Sequence, residues 1–386
     1  MPEGLPGADK LMENYNVFFS IDTNIIQALG YKFDSGALSK LPLQRPNWML
    51  LYMAEVVQKE IKSHRMDAVE EDANRFSAAL ERMQKSSGFD FSSLKKSYEK
   101  EDVKIFSDAI FDKQLDDFIH SLGGKILKTD GADLAKDMFN LYFNNLPPFE
   151  VRKDKKNEFP DAAALLVLEG FAKQEKICGV LISGDAGWAN FANTSEHLYC
   201  VKSLEEFTSL FASDGKKAEE IKHKITSSLS DRESSFSSDL LKELSDYVSQ
   251  ADWVVDEIYG NGPGQLAAEV VDAILLKDKV EFLGFKVWLV EHDPSMCVVE
   301  ISLSALVGLN LSVLSYAGGS ILKDLSFTSS FEYSMDVNFE TNIFATFYGD
   351  ILNDEFSLWE YDLVWGGGSY SVDVGYIDDK FSRQDM

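Results

Sequence analysis

Four acidic residues stand where a hydrolase working through metal ions would need them. Asp22 closes the run Phe18-Phe19-Ser20-Ile21, Glu60 lies in Val57-Gln58-Lys59-Glu60-Ile61, Asp161 follows Phe159-Pro160, and Asp185 follows Val180-Leu181-Ile182-Ser183-Gly184. Each borders or lies within a strongly patterned apolar segment. An isolated carboxylate is costly to bury, so a set of four needs a reason. Convergence on shared divalent cations supplies one, because Mg²⁺ and Mn²⁺ take hard oxygen ligands and keep several waters. Ions held by shared carboxylates can activate a water, steady a phosphate and stabilise the leaving oxygen. No nucleophilic side chain is then required.

The flanking pattern says which elements must hold these residues. Val17 to Ile21 reads as a short buried strand ending at Asp22, Gly179 to Ser183 as a second, and Leu198 to Val201 as a third. Trp48 to Met53 is apolar and leads into a helix in which Val56, Val57, Glu60, Ile61 and His64 recur at helical spacing. Residues 65–145 read as mostly helical, and Pro147-Pro148 breaks that run. Pro160 suits a first helical turn. Asp161 to Lys173 then reads as a helix whose core face holds Ala164, Leu165, Leu168 and Phe171, and Ser203 to Phe211 as a closing helix. Strands alternating with helices predict a parallel sheet with helices on its faces. Sites in such sheets form beyond the carboxyl ends of the strands. Asp22 and Asp185 would emerge at that one edge, with Glu60 and Asp161 brought to it by helices.

The remainder of the chain has a different character. Its 386 residues exceed one typical domain. Residues 214–235 are polar and read as a linker or an exposed helix; Leu240 to Ile258 and Gln265 to Leu276 read as helices, separated by a turn at Gly260 to Gly264. From Val280 the period changes to two. Phe282 to Val290 and Val298 to Leu303 flank His292-Asp293-Pro294-Ser295 as a hairpin, and Phe331, Tyr333, Met335, Val337 and Phe339 share one face of a further strand. The expected organisation is an α/β domain over 1–213, a helical linker over 214–265 and an acidic, largely antiparallel β module over 266–386. Ile301 to Leu322 carries no charge, but its alternation fits strands better than a spanning helix. Cys178, Cys200 and Cys297 have no CxxC spacing, which argues against a zinc site or disulfide framework and suits a reducing cytosol. Met1-Pro2-Glu3-Gly4 does not read as a signal peptide.

The net charge of −27 weighs against a nucleic-acid partner. Its distribution softens that objection. Residues 1–213 carry 25 Lys and Arg against 33 Asp and Glu, whereas residues 214–386 carry 12 against 31. The excess lies mostly away from the four acids. The densest basic cluster, Arg152, Lys153, Lys155 and Lys156, comes just before Asp161 and is placed to meet substrate phosphates.

Taken in order, Ile21-Asp22-Thr23-Asn24, Val57-Gln58-Lys59-Glu60-Ile61, Phe159-Pro160-Asp161-Ala162 and Ile182-Ser183-Gly184-Asp185 resemble the four acidic motifs of the PIN-domain nucleases. The resemblance covers roughly residues 15–212. It implies a small parallel sheet between helices and a Mg²⁺- or Mn²⁺-dependent endoribonuclease with Asp22, Glu60, Asp161 and Asp185 as metal-binding acids. Asn24 and Ser183 match accompanying polar positions that would support the first and last acids by hydrogen bonds. Glu55 is a rival for the second acid, but the Val-Val-x-x-Glu match favours Glu60. The insert between the second and third acids is long, as in larger PIN-like proteins, and Trp188 stands where Phe is common. The C-terminal module resembles no family by its sequence. The implied setting is cytoplasmic, with an RNA substrate, DNA as an alternative, a protein partner or regulator on the acidic module, and homo-oligomerisation open. By analogy of architecture, the chain would suit a bacterial toxin or phage-defence effector.

Two other readings compete. An aspartyl-nucleophile phosphatase would use Asp22 after its strand, yet its general acid belongs two residues on, where this chain has Asn24. A non-catalytic PIN-like scaffold that binds a protein partner is the other, and the presence of all four acids argues against it.

Overall fold

The computed structural model describes residues 16–91, 100–131, 133–149, 158–231, 233–260, 265–317, 326–349, 355–356, 359–365 and 369–377. Arg152, Lys153, Lys155 and Lys156 lie outside the described residues, as does the part of the expected turn from Asn261 to Gly264. Contacts divide the chain into two compact units, Met1–Ala212 and Ser213–Met386.

The first unit is built on parallel strands. Strand β1 (Val17–Ile21) is buried at every position, as a strand covered on both faces must be. Helices α1 (Thr23–Ala28) and α2 (Gly36–Gln44) follow. A short strand, β2 (Tyr52–Ala54), runs directly into the 33-residue helix α3 (Glu55–Ser87). Then come α4 (Lys100–Ser121), β3 (Lys125–Leu127), α5 (Leu134–Asn144) and α6 (Phe159–Glu175). The unit closes with β4 (Cys178–Ile182), α7 (Ala186–Thr194), β5 (Leu198–Val201) and α8 (Leu204–Ser209).

The sheet runs β1-β4-β5, all parallel, and β2 pairs with β3 alongside it through a bridge between Phe19 and Leu51. The expected parallel sheet between helices is present. Strand β3 interrupts the stretch expected to be helical from 65 to 145. Three residues carry too little periodicity to announce a strand, and pairing with β2 makes one of them. Gly179 shows how tightly the sheet is packed. A Cβ there would lie 2.5 Å from Phe18 Cζ and 2.9 Å from Leu198 Cδ2. Glycine is therefore required where the Phe18 ring crosses β4.

The second unit has its own core. Helix α9 (Lys216–Ser230) buries Ala218, Ile221, Ile225 and Leu229, and α10 (Ser235–Gln250) buries Phe236, Leu240, Leu244 and Val248. Residues 214–235 are thus not the expected linker or exposed helix. An i, i+3, i+4 stripe inside a polar composition packs them into the core. The helix expected from Leu240 to Ile258 stops at Gln250, and Asp252–Gly260 forms strand β6, where Trp253-Val254-Val255 favours extended backbone.

A larger departure follows. Gln265 to Leu276, expected as a helix, opens the 25-residue strand β7 (Gln265–Leu289). Its partner decides this, since β8 (Met296–Ala317) pairs with it from Gln265↔Tyr316 to Leu289↔Cys297. Strands β9 (Ser326–Tyr348) and β10 (Glu360–Trp365) extend the antiparallel sheet to the order β10-β9-β8-β7. Strand β11 (Ser369–Ile377) pairs in parallel with β6. The uncharged stretch after Ile301 lies in β8 as far as it is described, with Ile301, Leu303, Ala305, Val307, Leu309, Leu311 and Val313 all facing the core. No helix among the described residues is long and apolar enough to cross a membrane.

Candidate active site

The ladder between β1 and β4 continues one residue past both strands. Ile21 pairs with Ile182, the Asp22 amide donates to the Ile182 carbonyl at 3.0 Å, and the Ser183 amide donates to Val201 at 3.0 Å. Asp22 and Ser183 are therefore neighbours at the carboxyl edge of the sheet. The Ser183 hydroxyl donates to Asp22 Oδ2 at 2.5 Å and accepts from the Asp185 amide at 3.0 Å and from Asn24 Nδ2 at 3.3 Å. The Asn24 carbonyl oxygen in turn accepts from the Gly184 amide at 3.5 Å. One serine thus ties the first and last acids together across the two strand ends.

The remaining acids arrive from helices. Glu60, on α3, accepts from Thr23 Oγ1 at 2.9 Å, which places it beside Asp22. Glu55 is committed elsewhere, to Lys59 at 2.9 Å and to the Thr129 amide at 3.5 Å. Asp161 stands in the first turn of α6, where its Oδ1 accepts from the Trp188 indole N–H at 2.7 Å. Asp185 caps α7, its Oδ1 accepting from the amides of Gly187 at 2.6 Å and Trp188 at 3.2 Å. A Cβ on Gly187 would meet that oxygen at 2.8 Å and Pro148 Cβ at 3.0 Å, so the cap closes only around a glycine.

Two of these supports carried no legible sequence signal. Thr23 and Trp188 look like an ordinary helix residue and a core aromatic. Only the fold turns their polar atoms towards acids 37 and 27 residues away in the chain. In Glu60, Asp161 and Asp185 one oxygen is held in this way, and the other has no hydrogen-bond partner among the described residues.

The four charges act on one another. Asp22 is only 5% exposed, and burial pushes its carboxyl up to about 6 against the pull of Ser183, with Glu60 and Asp185 raising it further. Burial likewise raises Asp161 to about 7, opposed by the Trp188 hydrogen bond and reinforced by Asp22, Glu60 and Asp185. Buried like charges of this kind accumulate where a site is tuned for chemistry or for a cation.

Residues 20–188 match the family model of the PIN domain. That stretch of the N-terminal unit is similar to the PIN domain. No curated protein and no solved structure matches the chain. The PIN domain is a nuclease-type fold, and PIN domains typically use divalent metal ions.

The donor chemistry fits such an ion. Carboxylate oxygens are hard ligands, and their mutual repulsion in a buried setting is what a divalent cation relieves. Among the described residues, however, no group of three or more His, Cys, Asp or Glu is arranged to hold a metal ion as it stands. Mg²⁺ needs no such cage, because it is held through one or two carboxylates and retains its waters.

Proposed function

We propose that this PIN-like unit is a metal-dependent endoribonuclease. The carrying observation is the convergence of Asp22 and Asp185 at adjoining strand ends with Glu60 and Asp161, four carboxylates whose charges couple. Asp22, Glu60, Asp161 and Asp185 would hold Mg²⁺ or Mn²⁺, which when bound polarises the phosphate and lowers the pKa of a bound water.

The chain's own contribution is preorganisation. Ser183 fixes Asp22, Thr23 fixes Glu60, Trp188 fixes Asp161, and the start of α7 fixes Asp185. Rotamer freedom is removed from each acid before substrate arrives, and a fixed charge costs no reorganisation at the reaction step. Arg152, Lys153, Lys155 and Lys156 would draw phosphates to an otherwise negative chain. The aspartyl phosphatase reading is weaker for two reasons. Asn24 occupies the general-acid place, and its side chain is engaged with Ser183 and Gly184. A cytoplasmic toxin or phage-defence role, with the acidic module contacting a protein regulator, belongs to this proposal as architectural analogy.

A divalent-metal titration of RNA and DNA cleavage, run beside Asp161→Asn, tests the reading. Metal-dependent RNA cleavage lost in the variant is the expected result. Turnover of small phosphate esters through a phosphorylated Asp22 would replace it with the phosphatase. Absence of both cleavage and metal binding would leave the scaffold.

A further inference from the structure

Helix α5 places large aromatic rings in solvent. Phe143 is 73% exposed and Phe139 51%, and no residue of the helix is buried. The two rings, one turn apart, stack with centroids 6.1 Å apart and planes 23° from parallel. They form the outer end of a continuous series. Phe139 meets Phe159 at 6.0 Å, Phe159 meets Tyr142 at 5.3 Å and Phe149 at 4.9 Å, and Phe149 is fully buried. Phe159 opens α6 two residues before Asp161. Pro148, next to Phe149, lies against the Gly187 turn that holds Asp185. The exposed pair is thus fixed to the acid site by packed rings.

We propose that Phe139 and Phe143 form a platform on which an unpaired base of the substrate stacks while its backbone passes the acids. This rests on the nuclease reading and adds to it a base-binding subsite. An exposed stacked pair presents π-faces that any base can use, whereas a base inside a duplex has its faces already covered. Two rings match the area of one or two bases and fall far short of the roughly 800 Å² per partner of a stable protein interface. The sequence between Phe149 and Phe159 carries Arg152, Lys153, Lys155 and Lys156 against Glu150, Asp154 and Glu158, a locally positive balance in a chain of net charge −27.

The test measures binding separately from cleavage. A short fluorescein-labelled single-stranded RNA and the same sequence within a duplex are titrated with the full chain by anisotropy. Ca²⁺ is present, and a gel checks that the RNA stays intact. The F139A/F143A chain should bind the single strand about 5- to 100-fold more weakly, with duplex binding unchanged and the chain still folded by circular dichroism. Leucine at both positions, which keeps apolar area without a π-face, should lose affinity as alanine does, and tryptophan should restore it. Leucine binding as well as wild type would overturn the platform, as would equal losses for single strand and duplex. Self-association of the wild type, lost in F139A/F143A during sedimentation, would assign the rings to a second copy instead. Failure of the nuclease reading reads differently: ring-dependent binding with no divalent-dependent cleavage.

Discussion

Trp188 shows how one side chain can serve both the core and the site. Its ring is fully buried, while its indole N–H holds Asp161 at 2.7 Å. Phe at this position would keep an aromatic ring in the core and lose the donor. A hydrogen bond to a charged group is worth about 1.5–3 kcal/mol. Trp188→Phe should therefore weaken Mg²⁺ or Mn²⁺ binding about tenfold in calorimetry, and lower the thermal midpoint through the lost bond and the smaller ring. An unchanged metal affinity would reduce Trp188 to packing. Ser183 is more exposed to failure, because its hydroxyl serves Asp22, Asp185 and Asn24 together. Ser183→Ala leaves the buried Asp22 without its side-chain donor. The Asp22 carboxyl should then titrate above its present value of about 6, visible by NMR as a displaced titration midpoint.

At the scale of elements, the site depends on how closely β1 and β4 approach, and Gly179 sets that approach. With Phe18 Cζ 2.5 Å from any added Cβ, Gly179→Ala must push the strands or the ring apart. Overpacking of this kind costs about 1–3 kcal/mol. The midpoint of chemical denaturation should fall accordingly, and a wild-type midpoint would show the sheet to be looser than described. Helix α9 offers a matching test in the second unit. Ile225 is fully buried on a helix whose composition looks solvent-exposed. Ile225→Asp should unfold that unit, as measured by loss of its β-sheet circular dichroism, whereas an exposed helix would tolerate it.

For the whole molecule, charge links stability to pH. Asp22 and Asp161 have ordinary values near 3.8 and folded values of about 6 and about 7. Between these limits the folded state keeps protons that the unfolded state has released, so stability without metal falls as pH rises through that window. Below it both states are protonated, and above it the full cost of the buried charges is present. The metal-free thermal midpoint should drop between pH 5 and pH 7.5, and Asp161→Asn should flatten the drop. The variant is needed because the general self-repulsion of a chain with net charge −27 grows over the same range. Added Mg²⁺ should stabilise the wild type more at pH 7.5 than at pH 5, since ionised carboxylates are its ligands. What the sequence determined by itself was local. Continuous apolar runs marked β1, β4 and β5, Pro160 and its following apolar face marked α6, and acids at the ends of these elements marked a site at one sheet edge. What tertiary structure decided was every assignment that depends on a distant partner. The segment from Gln265 to Leu276 is a strand because β8 lies beside it, α9 is a core helix because its narrow stripe meets a sheet, and Glu60 rather than Glu55 faces Asp22 because Thr23 reaches it. Periodicity records which face of an element is apolar, but pairing, and the turning of a hydroxyl or an indole N–H towards an acid, exist only once chain segments far apart in sequence have met.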